Sequence, residues 1–190
     1  MNLQKLNLKI FLENPETVHL EKFIPIFHRW IQEQNTEDLL IDVADYQHVP
    51  SGPGVLLIGQ QVNYSIDNNE SHLGFLYNQK AKLEEDFPNQ LKKITRSAFT
   101  ACEKLEREPA LEGKLKFKGN ELQLIVNDRL LAPNTEETFQ SIKPQLSQFL
   151  SSLYGDSAFQ LTHHPDPRER LTIEIHGKSS VKLAELLRRL

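Results

Sequence analysis

Cysteine is almost missing from this chain. Cys102 stands alone among 190 residues, so no internal disulfide can staple the fold. No stretch approaches the ~20 consecutive apolar residues that a spanning helix needs, which excludes an integral helical membrane protein. No basic start, long apolar core and small-residue cleavage site precede Leu3, so cytoplasmic residence is expected. Basic charge is also thin, with 22 Lys and Arg against 26 Asp and Glu. Its densest clusters, Lys92-Lys93 with Arg96 and Arg188-Arg189, are read as lying late in helices, where cations offset the helix dipole. Phosphate binding wants a concentrated basic surface, so a nucleic-acid partner is not expected. No cofactor fingerprint and no paired-cysteine or helical two-histidine metal signature occurs, so neither a cofactor nor a metal is predicted.

What is present is the composition of an ordinary globular chain, with 38% hydrophobic and 25% charged residues. At this length, folding buries about 70% of the surface exposed by the unfolded chain, enough for a self-sufficient core.

Strand and helix periods alternate along the sequence. Leu6, Leu8, Ile10 and Leu12 alternate with polar residues as a strand with one buried face. Phe23, Ile26, Phe27, Trp30 and Ile31 form the apolar stripe of an amphipathic helix, with Pro25 near its start. Leu39 to Tyr46, Val55 to Ile58, Val62 to Ile66 and Leu73 to Tyr77 read as strands, and Asp67-Asn68-Asn69 as a hairpin turn. Apolar residues at 87, 91, 94, 98, 102 and 105 predict a long helix entered near Pro88 and stopped before Pro109. Leu115 and Phe117, a Lys118-Gly119-Asn120 turn and Leu122 to Val126 read as a second hairpin. Asn134-Thr135-Glu136-Glu137 starts a further helix that ends at Gly155, and the chain closes with strands at Phe159 and at Leu171 to Ile175 and a short helix.

The expected class is α+β: two similar strand-helix-strand-strand halves with an antiparallel-rich sheet, joined by a long central helix. Residues 1–80 form the N-terminal half, 81–113 the connector and 114–190 the C-terminal half, and the three can also make one continuous domain. Lys9 to Pro50 and Leu124 to Pro165 share length and element order, which suggests an internal duplication. His48 and His163 then occupy equivalent positions and could approach each other.

The richest polar segment is Leu39 to Gly59, LLIDVADYQHVPSGPGVLLIG. Ser51, Gly52 and Gly54 invite a phosphate-loop reading, but phosphate loops run into a helix whose N-terminus adds to binding. Gly54 instead runs into an apolar strand, and Pro53 removes a donor, so a strand connector at the rim of a pocket is the expectation. Asp45 and His48 can meet if the chain turns after Tyr46, giving a tautomer-fixed imidazole, although no nucleophile accompanies them. A turn-capping Asp45 and a solvent-facing His48 is the simpler alternative. Tyr64 and Tyr77 fall on strands near this loop and could lend hydroxyls to a pocket. His163, His164, His176 and Asp166 lack ligand spacing, while Cys102 and Trp30 sit on apolar helix faces as core residues.

Leu40 to Gly59, continued by Asn63-Tyr64-Ser65-Ile66-Asp67 and Leu73-Gly74-Phe75-Leu76-Tyr77, resembles a family of small bacterial proteins without an assigned activity. The resemblance covers about residues 1–80. Gln60 stands where relatives are expected to carry histidine, so a histidine-dependent chemistry common to the family is not expected here.

The resulting functional expectation is a non-catalytic binding or assembly module, paired with an unknown protein partner or with itself as a homodimer. The alternative is a small-molecule-binding protein or enzyme. Its pocket would lie at Asp45, His48, Ser51, Gly52 and Gly54, with Tyr64, Tyr77 and His163 as further candidates.

Overall fold

The computed structural model describes residues 3–34, 36–49, 52–69, 72–155 and 159–190. In these residues eight strands and four α-helices follow one another as β1 (Leu6–Leu12), α1 (Phe23–Glu33), β2 (Leu40–Tyr46), β3 (Gly54–Gly59), β4 (Val62–Asp67), β5 (Gly74–Gln79), α2 (Phe87–Glu106), β6 (Phe117–Val126), α3 (Glu136–Tyr154), β7 (Phe159–His163), β8 (Leu171–Gly177) and α4 (Leu183–Arg189). The strands make a single sheet in the order β2-β3-β4-β5-β1-β6-β8-β7. Every neighbouring pair is antiparallel. This is an α+β fold, and the sheet runs without a break across β1 and β6 from one half of the chain to the other.

Period-two alternation sorts each strand onto two faces. Leu6, Leu8 and Ile10 share one face with Val55, Leu57, Tyr64, Ile66, Phe75 and Leu124, all part of a single hydrophobic core. The helices pack on this face: α1 on β2 and β3, α2 on β1 and β5, α3 on β7 and α4 on β6. Leu56, Ile58, Leu76 and Ile125 point the other way, and none of them belongs to that core. One face of the sheet is therefore covered by helices and the other is open.

Helix boundaries follow local chemistry. Asp86 caps α2 by accepting from the Asn89 N–H at 3.0 Å, and Pro88 occupies the first turn, where its missing donor is harmless. Thr135 caps α3 in the same way, accepting from Thr138 N–H at 3.2 Å. Lys92 and Lys93 fall in the first half of α2 rather than late in it, so a dipole role does not apply to them.

The hairpin expected at 115–126 does not form. Phe117–Val126 is one ten-residue strand, and its pairing with β1 is irregular between Ile10 and Leu12. Gly119 is needed for close approach instead of a turn, because a Cβ there would overlap the Val181 carbonyl oxygen on the chain leading into α4. The halves also differ in their strands: β2 to β5 make a four-strand run after α1, whereas only β7 and β8 follow α3.

Candidate functional site

The residues singled out by sequence divide among separate places. Asp45 Oδ1 accepts from the Gln47 N–H at 2.9 Å, capping the turn after β2. His48 is exposed and stacks on Tyr46, with ring centroids 6.4 Å apart, so Asp45 and His48 form no pair. Gly54 has φ +62°, and a Cβ there would overlap the Ile66 carbonyl oxygen, which explains glycine at the start of β3. Ser51 lies outside the described residues.

Tyr64 and Tyr77 lie on the helix-covered face, edge to face at 5.7 Å, and the Tyr77 hydroxyl donates to Gln79 Oε1 at 3.0 Å. Burial pushes both phenols well above their ordinary pKa, with Asp38 and Glu37 adding a smaller push of the same sign. They line a small cavity with Asp38, Gln79, Lys93 and Ser97, across the sheet from Gly52 and Pro53.

His163 closes β7 with its side chain 1% exposed. Its Nε2 meets Asn134 Oδ1 at 2.6 Å, its ring stacks on Phe139 at 4.7 Å, and Glu136 Oε2 lies 3.4 Å from Nδ1. Strands β2 and β7 are the two edges of the sheet, which at ~4.8 Å per step puts them roughly 34 Å apart. His48 and His163 share no cavity.

The concentrated polar chemistry lies on the open face. Lys9, in the middle of β1, holds Asp67 at the end of β4, with Nζ 2.6 Å from Oδ2 and side chains only 4% and 8% exposed. Lys9 Nζ also donates to the Asn69 carbonyl at 3.4 Å, and Asp67 Oδ2 accepts from Asn69 N–H at 3.3 Å. One register row away, Asn63, Asn78 and Asn7 stand side by side on β4, β5 and β1. Asn7 is 1% exposed, and neither its Oδ1 nor its Nδ2 has a partner among the described residues. Buried amide groups are normally paired, because an unpaired one costs about 1–3 kcal/mol.

Loops from three hairpins rim a cavity of about 210 Å³ over this ion pair: Gly52 and Pro53 between β2 and β3, Asn69 and His72 between β4 and β5, and Arg170 before β8. A second chamber of about 270 Å³ shares Asn69, Gln123, Ile125 and Arg170 with the first and continues toward Glu174. Among the described residues, Gly52 is the one member of the expected loop site that reaches this cavity. Asp67 reads as part of a turn and Arg170 lies just outside β8, while Lys9 and Gln123 escape sequence reading because alternation labels the second face of a strand solvent-facing. Only the width of the sheet and the hairpin loops bury it. The available signal was Lys9 in the middle of a strand, with no local motif tying it to Asp67.

Among the described residues, no group of three His, Cys, Asp or Glu side chains converges as metal ligands, and no helix is long and apolar enough to cross a membrane. Compared with known proteins, the chain matches no family model and no curated protein.

Proposed function

We propose that this chain is a non-catalytic binding module that takes its ligand on the open face of the sheet, over the Lys9–Asp67 pair. The observation that carries this reading is buried polarity on a face without helices. Lys9, Asp67, Ser65 and Asn7 are each less than a tenth exposed there, and the Asn7 amide has no partner among the described residues. A sheet that needed only stability would place apolar or fully solvated residues at these positions, since a buried ion pair rarely outperforms well-packed hydrophobic groups. Of these polar residues, Lys9 and Asp67 line the cavity beneath the converging loops, where polar groups held in a concave site are what a polar ligand exploits.

An NMR fragment screen of the isotope-labelled chain tests the reading. Hits should move backbone amides of Lys9, Ser65, Leu76 and Gln123 and be recovered unchanged by mass spectrometry. Hits confined to the Asp45–His48 loop or to the Tyr64–Tyr77 side would refute the location, and chemical conversion of a hit would refute the non-catalytic part.

Self-association through β2 is the second reading. Leu39, Ile41, Tyr46 and Val49 are all exposed on or beside this edge strand, and an unpaired edge offers backbone groups to another chain. Asp42 and Asp45 limit it, because two copies of the edge would bring carboxylates together. The equal order of elements around α1 and α3 also supports the internal duplication as part of this proposal, with each helix joining two strands of the same direction.

A further inference from the structure

We infer that the cavity over Lys9 is an anion seat, taking a small carboxylate or phosphate between Lys9 and Arg170. The inference rests on the open-face reading and adds the chemical class of the ligand. Its basis is an imbalance between donors and acceptors. Lys9 has three ammonium protons, and its hydrogen-bond partners are Asp67 Oδ2 and the Asn69 carbonyl, with the Phe11 ring 5.6 Å away, which leaves donor capacity at the cavity floor. The Arg170 side chain is exposed and, among the described residues, forms no ion pair and has one long hydrogen bond, to Asn127 Oδ1 at 3.5 Å. The Gln123 amide and the His72 imidazole have no hydrogen-bond partner among the described residues, and the His72 ring meets only the edge of Phe11 at 6.2 Å.

The cavity's own carboxylate, Asp67, is already engaged by Lys9, so Arg170 leaves a net positive charge in a chain whose formal charge is −4. Three further carboxylates, Asp166, Glu169 and Glu174, line the adjoining chamber and not this cavity; Arg168 engages Asp166, and Glu174 sits one strand beyond Gln123. A volume of about 210 Å³ corresponds to about seven waters at roughly 30 Å³ each, the size of a two- to four-carbon acid. A planar guanidinium beside an ammonium matches the oxygens of a carboxylate or phosphate.

The test is a titration of the labelled full chain with glycolate, L-malate and inorganic phosphate at constant ionic strength, with neutral glycolamide alongside. Saturable shifts are expected at the amides of His72, Gln123 and Arg170. Arg170→Gln, at an exposed position, should weaken binding at least tenfold, and Arg170→Lys should restore part of it. Saturation by phosphate alone or by the carboxylates alone identifies the source of the anion. Unchanged affinity in Arg170→Gln, or shifts that never saturate, would overturn the seat. Glycolamide binding as tightly as glycolate at these amides would overturn the anion class and leave the open-face reading standing. Fragments that saturate only elsewhere would remove that reading itself.

Discussion

Lys9 and Asp67 show how a single residue pair can define a face. Removing one member leaves the other as a buried, uncompensated charge, which costs about 3–5 kcal/mol in comparable pairs. Lys9→Met alone should therefore lower unfolding stability by about that much in urea denaturation. The double variant Lys9→Met/Asp67→Leu should recover most of the loss, because two apolar groups need no partner; equal losses in both would show that the pair's charge is not the cause. A second residue-scale prediction concerns Glu112, whose hydrogen bonds from Lys114 and then Lys22 lower its pKa from 4.5 to about 2. A folded-state pKa below the unfolded one means that the stabilisation is present above pH ~4.5 and is lost as pH falls toward 2. NMR titration of the Glu112 carboxyl should place its midpoint near the lower value, and Glu112→Gln should flatten the acid limb of the stability curve between these limits. Lys9 was legible only as a strand residue and Asp67 only as part of a turn, since they lie 58 positions apart and partners that distant leave no local pattern.

Elements were read more fully than pairs. Helix starts at Asp86 and Thr135 carry their own signal, because a side-chain acceptor, an early proline or early acids satisfy the same orphan N–H groups in any context. The stripe of Phe23, Ile26, Phe27 and Trp30 likewise reports a buried face. Lys118-Gly119-Asn120 misled because its composition is that of a turn, whereas its glycine answers a contact with Val181 that sequence does not display. Gly119→Ala should push the chain before α4 off the sheet and destabilise the protein by about 1–3 kcal/mol, as overpacking does. Denaturation together with limited proteolysis at the C-terminal end checks this, and wild-type stability in the variant would dismiss the close approach. In α3, Pro144 lies inside the helix at an exposed position and denies a hydrogen bond to the Gln140 carbonyl. Pro144→Ala should stabilise by up to about 3 kcal/mol, the difference between these residues in a helix interior. Its melting temperature should rise by about 2–4 °C per kcal/mol; a lower one would mean that the proline's shape is used in packing.

For the whole molecule, strand order was the missing information. Alternation identifies strands and hairpin turns identify sequential neighbours, but nothing local tells β1 to enter between β5 and β6. That insertion makes one eight-stranded sheet, sends β2 and β7 to opposite edges, and gathers Lys9, Asp67, Gln123 and Arg170 onto a common face. It also makes the β2 edge a determinant of the state of the molecule in solution. Val43 N–H is taken by Asp42 Oδ1 at 2.8 Å, while Ile41 beside it is 55% exposed. The carboxylate thus occupies a donor that a second chain would need and adds charge that repels a second copy, two devices that discourage edge-to-edge pairing. Replacing Asp42 with valine frees the donor, removes the charge and lengthens the apolar run. Asp42→Val should therefore convert the chain to a dimer or larger species at concentrations where the parent has a lower mass by light scattering. Adding Ile41→Lys to that variant should return it to the parent's mass, because lysine on an edge strand blocks pairing in the same way. If Asp42→Val leaves the mass unchanged, the β2 edge does not control association, and the exposed apolar residues around it serve a different contact.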